Sequence, residues 1–264
     1  MRILEFDALT PQEFLNRDIQ AEEDVSAAVD EILAEVRRNG DAALREYTKR
    51  FNGVELDNLR VTQEEFDAAR KTVDSCFLET LKEAAENIWR FHERQKHNDF
   101  ILTDRPGMVM GQRWTAIEKV GVCVPRCPEA FPSTILMNAI PAKIAGVETI
   151  VLVTPPGPDG SVSSEALMAA ELAGVTDVFK LGGAQAVAAL AYGTETVPRT
   201  DKIVGPGGVF VATAKRKVFG QVDIDMIAGP SEILVLADGK TNPVWAAADL
   251  LSQAEHDVLS SAVL

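Results

Sequence analysis

The chain has 264 residues, 46% of them hydrophobic, with 40 acidic and 26 basic side chains giving a formal net charge of −14. That size permits one large domain or two smaller ones around a real core, and the charge excludes nucleic acid and an anionic membrane as main partners, since both need a basic footprint. No apolar run approaches the ~20 residues of a membrane span, and "MRILEFDALTPQEF" breaks into charges too early for a secretory signal, so the cytoplasm is the expected compartment.

The first hundred residues read as helical. Val25, Ala28, Val29, Ile32, Leu33 and Val36 trace one apolar stripe, and Asn39-Gly40 supplies a stop. A second short helix places Leu44, Tyr47 and Phe51 on one face. Thr62 with Glu65 predicts a capping box for a third. Phe77, Leu81, Ala84, Ile88 and Phe91 predict a long helix ending near His97, with His92 and His97 as solvated surface histidines. Of the three cysteines, Cys76, Cys123 and Cys127, the last two lack a further pair to complete a zinc knuckle, and no disulfide framework is expected.

From residue 119 the texture changes. "VGVCVP" is a short apolar run with a proline stop, and "FPSTILMNAIPAKIAG" is helical with a kink expected at Pro141. "TIVLVT", the loop "PPGPDGS" and a helix through Ala166, Ala170 and Leu172 follow. The alternation continues through "DVFKL", "GGAQAVAALAYG", "DKIVGPGG", "VFVATAKRKVFG", "SEILVLAD" and a helix over 243–256. Strand and helix trade places at intervals that mark βαβ units on a buried parallel sheet. The expected fold is therefore α/β: a helical N-terminal region over 1–115 that packs on a Rossmann-like, open parallel-sheet domain over 116–264. "SSAVL" begins an apolar run where the sequence stops, which reads as a strand whose domain is truncated.

There is no G-x-G-x-x-G. "LGGAQA" and "VGPGG" each join a strand to a helix, where backbone amides either hold an anion or merely turn the chain. In "AGPSE", Ser231 precedes a strand on a Gly-Pro turn, the wrong order for a nucleophile elbow. In "DLLSQAEHD", Gln253 and His256 share a helix face. On spacing alone they are a polar helix cap, the commoner case, or half of a metal site. Zinc takes histidine nitrogen readily and glutamine oxygen rarely.

Taken together, "GQRW", "FPSTILMNAIPAKIAGV", "GGAQAVAALAYGTETVP", "VATAK", "DIDMIAGPSE" and "DLLSQAEHD" closely resemble the histidinol dehydrogenase family, in order and at matching separations along the whole chain. The resemblance implies a zinc-dependent homodimer that catalyses the last two steps of histidine biosynthesis. L-histidinol is oxidised to an enzyme-held aldehyde and then to L-histidine, with reduction of two NAD. It implies that Gln253 and His256 are zinc ligands lying against the substrate, that Ser231 contacts the substrate, and that Gln185 contacts NAD. Family members continue beyond this length, and their catalytic Glu-His pair and remaining zinc ligands, an Asp and a His, lie past residue 264. No catalytic residue is expected within this chain.

Four positions depart from the family pattern. Cys123 stands for a tyrosine that touches the cofactor, Arg126 and Cys127 for two glycines, and Gly208 for an asparagine that also contacts NAD. Arg126 either offers charge to the pyrophosphate or blocks it. Two other readings stay open at this point: a related dehydrogenase of another small polyol, such as a sulfonated propanediol, and a folded remnant that does not turn over.

Overall fold

The computed structural model describes residues 20–125, 131–227, 231–256 and 260–264. Arg126 and Cys127 lie outside the described residues. Contacts divide the chain into two compact units, Met1–Asp225 and Met226–Leu264.

The first unit opens with helices α1 (Gln20–Asn52), α2 (Gln63–Thr72) and α3 (Ser75–His92). The stop expected at Asn39-Gly40 is a sharp break inside α1: Gly40 has φ 52° and ψ −131°, and the helix resumes at once. A side chain at residue 40 would overlap the carboxylate of Glu195, which accepts a hydrogen bond from the Asp41 amide at 2.8 Å. Val29, Ile32, Leu33, Val36, Leu44 and Tyr47 are buried as their spacing predicts, Val25 is half-buried and Ala28 exposed, and Phe51 stays exposed and stacks on Tyr47 at 5.6 Å. Thr62 and Glu65 form the predicted capping box. Asp74 caps α3 through the Phe77 amide at 3.0 Å. That helix ends at His92 rather than near His97, and a single 3₁₀ turn, Glu93–Gln95, follows.

The lead-in is not wholly helical. Strands β1 (Phe100–Leu102) and β2 (Met110–Gln112) form an antiparallel hairpin. In its loop, Met108 N–H donates to the Arg105 carbonyl at 3.1 Å and Gly107 has φ 79°. Pro106 fixes the preceding position, which makes a type II turn. The Pro-Gly pair in "DRPG" was the available signal for it.

A parallel sheet of β3 (Lys119–Cys123), β4 (Thr149–Thr154), β5 (Asp177–Lys180), β6 (Lys202–Val204) and β7 (Asp223–Ile224) has spatial order β5-β4-β3-β6-β7. Helices α4 (Pro132–Ala145), α5 (Ser164–Ala173), α6 (Gly183–Tyr192) and α7 (Val209–Val218) connect the strands. α4 continues through Pro141, the position at which a kink was expected, so the proline does not end the helix. Successive strand residues alternate between two buried clusters. Val151 and Val153 pack with α1, α6 and α7, while Ile150 and Leu152 pack with α3, α4 and α5. Helices thus cover both faces, as a sheet of Val-rich parallel strands requires. The strand order reverses between β3 and β6, and ligands of open α/β sheets bind beyond the strand ends at such a reversal. No described helix is long and apolar enough to cross a membrane.

The second unit is one βαβ element: β8 (Glu232–Leu234), α8 (Pro243–Ala254) and β9 (Ser261–Val263), with β8 and β9 parallel. The run "SSAVL" thus contributes β9. The apolar residues Ala247, Leu250, Leu251 and Ala254 do not form the buried face of α8. Ala246 is buried, Leu250 and Gln253 are half-buried, and Ala247, Leu251 and Ala254 are exposed. Two three-residue strands cover only a narrow strip of the helix. Leu236, Trp245 and Leu264 are also exposed.

Candidate active site

The second unit gathers three of the expected site residues at one end. Ser231 immediately precedes β8, and His256 lies in the turn that leaves α8. Parallel pairing begins with Glu232 beside Ser261, and Ser231 and Ser260 are the residues that lead into these two strands. Gln253 Nε2 donates to Ser260 Oγ at 3.5 Å. The His256 amide donates to the Gln253 carbonyl at 3.2 Å, closing the turn with the two side chains three residues apart.

Gln253 lies on the inward strip with Ala246 and Leu250, spaced i, i+4, i+7, so it is not a fully solvated helix cap. A half-buried amide needs polar partners. His256 is exposed, as a ligand that must meet groups from elsewhere would be. One amide oxygen and one imidazole are donors that zinc accepts, and they fit two positions of a four-coordinate site. Among the described residues no three His, Cys, Asp or Glu side chains gather as a metal-binding group. The other histidines lie in the first unit: His92 Nδ1 meets Gln95 at 2.6 Å, and His97 stacks on Trp114 at 4.2 Å.

The remaining expected residue, Gln185, belongs to the first unit. It is buried in the first turn of α6, directly beyond the end of β5. A Cβ added to Gly183 would stand 2.8 Å from Gln185 Oε1, so the amide folds over the Gly182-Gly183 turn. Neither α6 nor α7 has a side-chain N-cap or an acidic residue in its first turn. Thr62, Asp74, Ser163 and Asn242 cap α2, α3, α5 and α8, whereas α4 shares the lack of both features with α6 and α7. The positive ends of α6 and α7 therefore suit an anionic group such as a pyrophosphate. At the α7 cap, Gly208 has open space around the position of a Cβ.

One cluster at the same sheet edge was not anticipated. Lys215, 1% exposed, donates from Nζ to the Gly205 carbonyl at 2.9 Å and pairs with Asp225. Asp225 Oδ2 accepts the Gly205 amide at 2.8 Å. A lysine spaced i, i+4, i+7 with Val211 and Val218 sits on an apolar stripe, and that was the signal for a buried charge with a partner.

Cys123 ends β3 with its thiol in the core, and burial pushes its pKa up to about 12; nearby Lys215 lowers it and Asp225 raises it by smaller amounts. The unfolded thiol ionises near ~8.5. Above that pH the unfolded chain loses a proton that the folded chain keeps, so stability falls as pH rises toward 12. The slope is at most ~1.4 kcal/mol per pH unit. Denaturant titrations between about pH 9 and 11 are expected to show a shallower decline in Cys123→Ala than in the parent. Equal slopes would mean the thiol is not held neutral.

The sequence model of the histidinol dehydrogenase family matches residues 15–264. The chain is 53% identical over 251 residues to the histidinol dehydrogenase of Geobacillus kaustophilus, covering 95% of this chain and 59% of that protein. It is 54% identical over 250 residues to that of Bacillus subtilis, covering 94% and 58%. A crystal structure of histidinol dehydrogenase from Elizabethkingia anophelis superposes with TM-score 0.85 at 37% identity, covering 93% of this chain and 59% of that one. The chain therefore spans somewhat more than half the length of these relatives, and by the match over 15–264 it belongs to the histidinol dehydrogenase family.

Proposed function

We propose that the protein carries out the zinc- and NAD-dependent oxidation of L-histidinol to L-histidine through enzyme-held L-histidinal. The observation that carries this reading is the placement of Ser231, Gln253 and His256 at one end of the β8-α8-β9 unit. Gln253 Oε1 and a ring nitrogen of His256 serve as two zinc ligands and line the substrate. The Ser231 hydroxyl offers a donor and an acceptor to a polar group of the substrate, and Gln185 contacts the cofactor from the α6 turn. When bound, zinc supplies a template for the imidazole and amino nitrogens of the substrate, and NAD accepts the hydride. The remaining zinc ligands and the acid–base pair come from outside these 264 residues. The protein acts as a cytoplasmic homodimer on a small molecule, with neither nucleic acid nor membrane as partner.

Converting a primary alcohol to a carboxylate removes four electrons and takes one oxygen from water, so two NAD are reduced per substrate. With the protein at its full natural length, L-histidinol is expected to yield two NADH per L-histidine formed. Oxidation of a sulfonated propanediol in preference to L-histidinol would transfer the reading to a polyol dehydrogenase of the same family. No oxidation of either would leave a non-catalytic protein.

A further inference from the structure

We infer that Lys215 and Asp225 are positioning residues for the cofactor, which they serve by fixing the Gly205–Gly208 turn. The inference rests on the proposed NAD site at the turns that lead into α6 and α7. Gly205 follows β6 directly and has φ 105°. Both polar groups of that residue are taken by side chains: its carbonyl accepts from Lys215 Nζ at 2.9 Å, and its amide donates to Asp225 Oδ2 at 2.8 Å. The two side chains are themselves ion-paired, which closes a ring around the residue. Asp225 is held in turn by its own amide, which donates to the Ile203 carbonyl at 3.2 Å.

The ring spans three elements, since Lys215 comes from α7, Gly205 from the end of β6 and Asp225 from the end of β7. Packing alone gives no reason for it. The stripe containing Val211 and Val218 would accept a leucine or methionine at residue 215, and burying an ion pair is no stabiliser against such a replacement. What a leucine cannot do is fix the orientation of a peptide. With both polar groups of Gly205 held, the three residues that follow have little freedom before α7 begins. Gly208 then accepts the Val211 and Ala212 amides at 2.9 and 3.1 Å and sets the axis of the helix. The uncapped α7 N-terminus is thereby aimed from a fixed base, the preorganisation that binding a diphosphate requires.

The test uses the protein at its full natural length and the double variant Lys215→Met/Asp225→Asn. It removes both charges together, keeps the volume, and retains an acceptor for the Gly205 amide. The variant is expected to stay folded, with amide hydrogen exchange faster at residues 205–210 and unchanged in β4 and α5. Its Kd for NAD, measured by calorimetry without substrate, should rise about tenfold or more, and KM for NAD should rise with it while KM for L-histidinol changes little. A folded variant with the parent's NAD affinity overturns the inference and leaves the cofactor site standing. A parent that binds no NAD overturns the cofactor reading itself, and the inference with it. Should the double variant not fold, hydrogen exchange of the parent decides: NAD must protect amides within 207–210, and absence of protection there overturns the inference.

Discussion

A polypeptide of these 264 residues alone is expected to reduce no measurable NAD with L-histidinol. The candidate site explains the size of the effect. The family resemblance assigns proton transfer to a Glu-His pair that has no counterpart here, and general acid–base groups contribute ~10²–10⁴-fold. The histidines cannot take over that role. His92 and His97 belong to the lead-in, bonded to Gln95 and stacked on Trp114, and His256 is the residue proposed above as a zinc ligand. Template action is lost as well, because two ligands do not hold a substrate-binding metal in fixed geometry. Zinc-dependent turnover by this polypeptide at an enzyme-like rate would show that its own residues include the acid–base machinery.

Gly205→Ala is expected to prevent accumulation of folded protein. At φ 105° an L side chain is strained, and a Cβ there would overlap the carbonyl oxygen of Cys123 on the central strand. Neither β3 nor β6 can move aside, since the two are paired from Val120↔Lys202 to Val122↔Val204 in the middle of the sheet. The same substitution would disturb the Lys215–Asp225 ring and leave a buried charge without its bonds. A loss of ~3–5 kcal/mol or more follows, against a total stability of ~5–15 kcal/mol. Gly208→Asn is the control: that position has φ −66° and open space, and asparagine is a good N-cap. Soluble yield and thermal melts should separate the two variants sharply. A folded Gly205→Ala with a near-parental melting temperature would mean that the turn is not pinned against β3.

The fold was legible where periodicity and local chemistry agree. The Val29–Val36 stripe, the Thr62/Glu65 box and the β-α alternation from residue 119 each rest on interactions a few residues apart. The β1–β2 hairpin was missed because its strands are only three residues long, too short to show alternation. At the site, Gln253 and His256 share a face by spacing, but only the β8–β9 register reveals that Ser231 lies at the same end. The Lys215–Asp225 ring joins residues ten apart through a glycine of another turn, a juxtaposition no sequence period encodes.

Zinc content after exhaustive dialysis tests most directly whether Gln253 and His256 are metal ligands. The protein at its full natural length should retain one zinc per chain. His256→Ala should lose both zinc and turnover, since an imidazole is a strong ligand that water replaces poorly. Gln253→Ala should lose less, because water substitutes more readily for an amide oxygen. The 264-residue polypeptide, with two ligands only, should bind zinc weakly and without sharp stoichiometry. Full zinc retention by His256→Ala, or one tightly held zinc on the 264-residue polypeptide, would contradict the assignment.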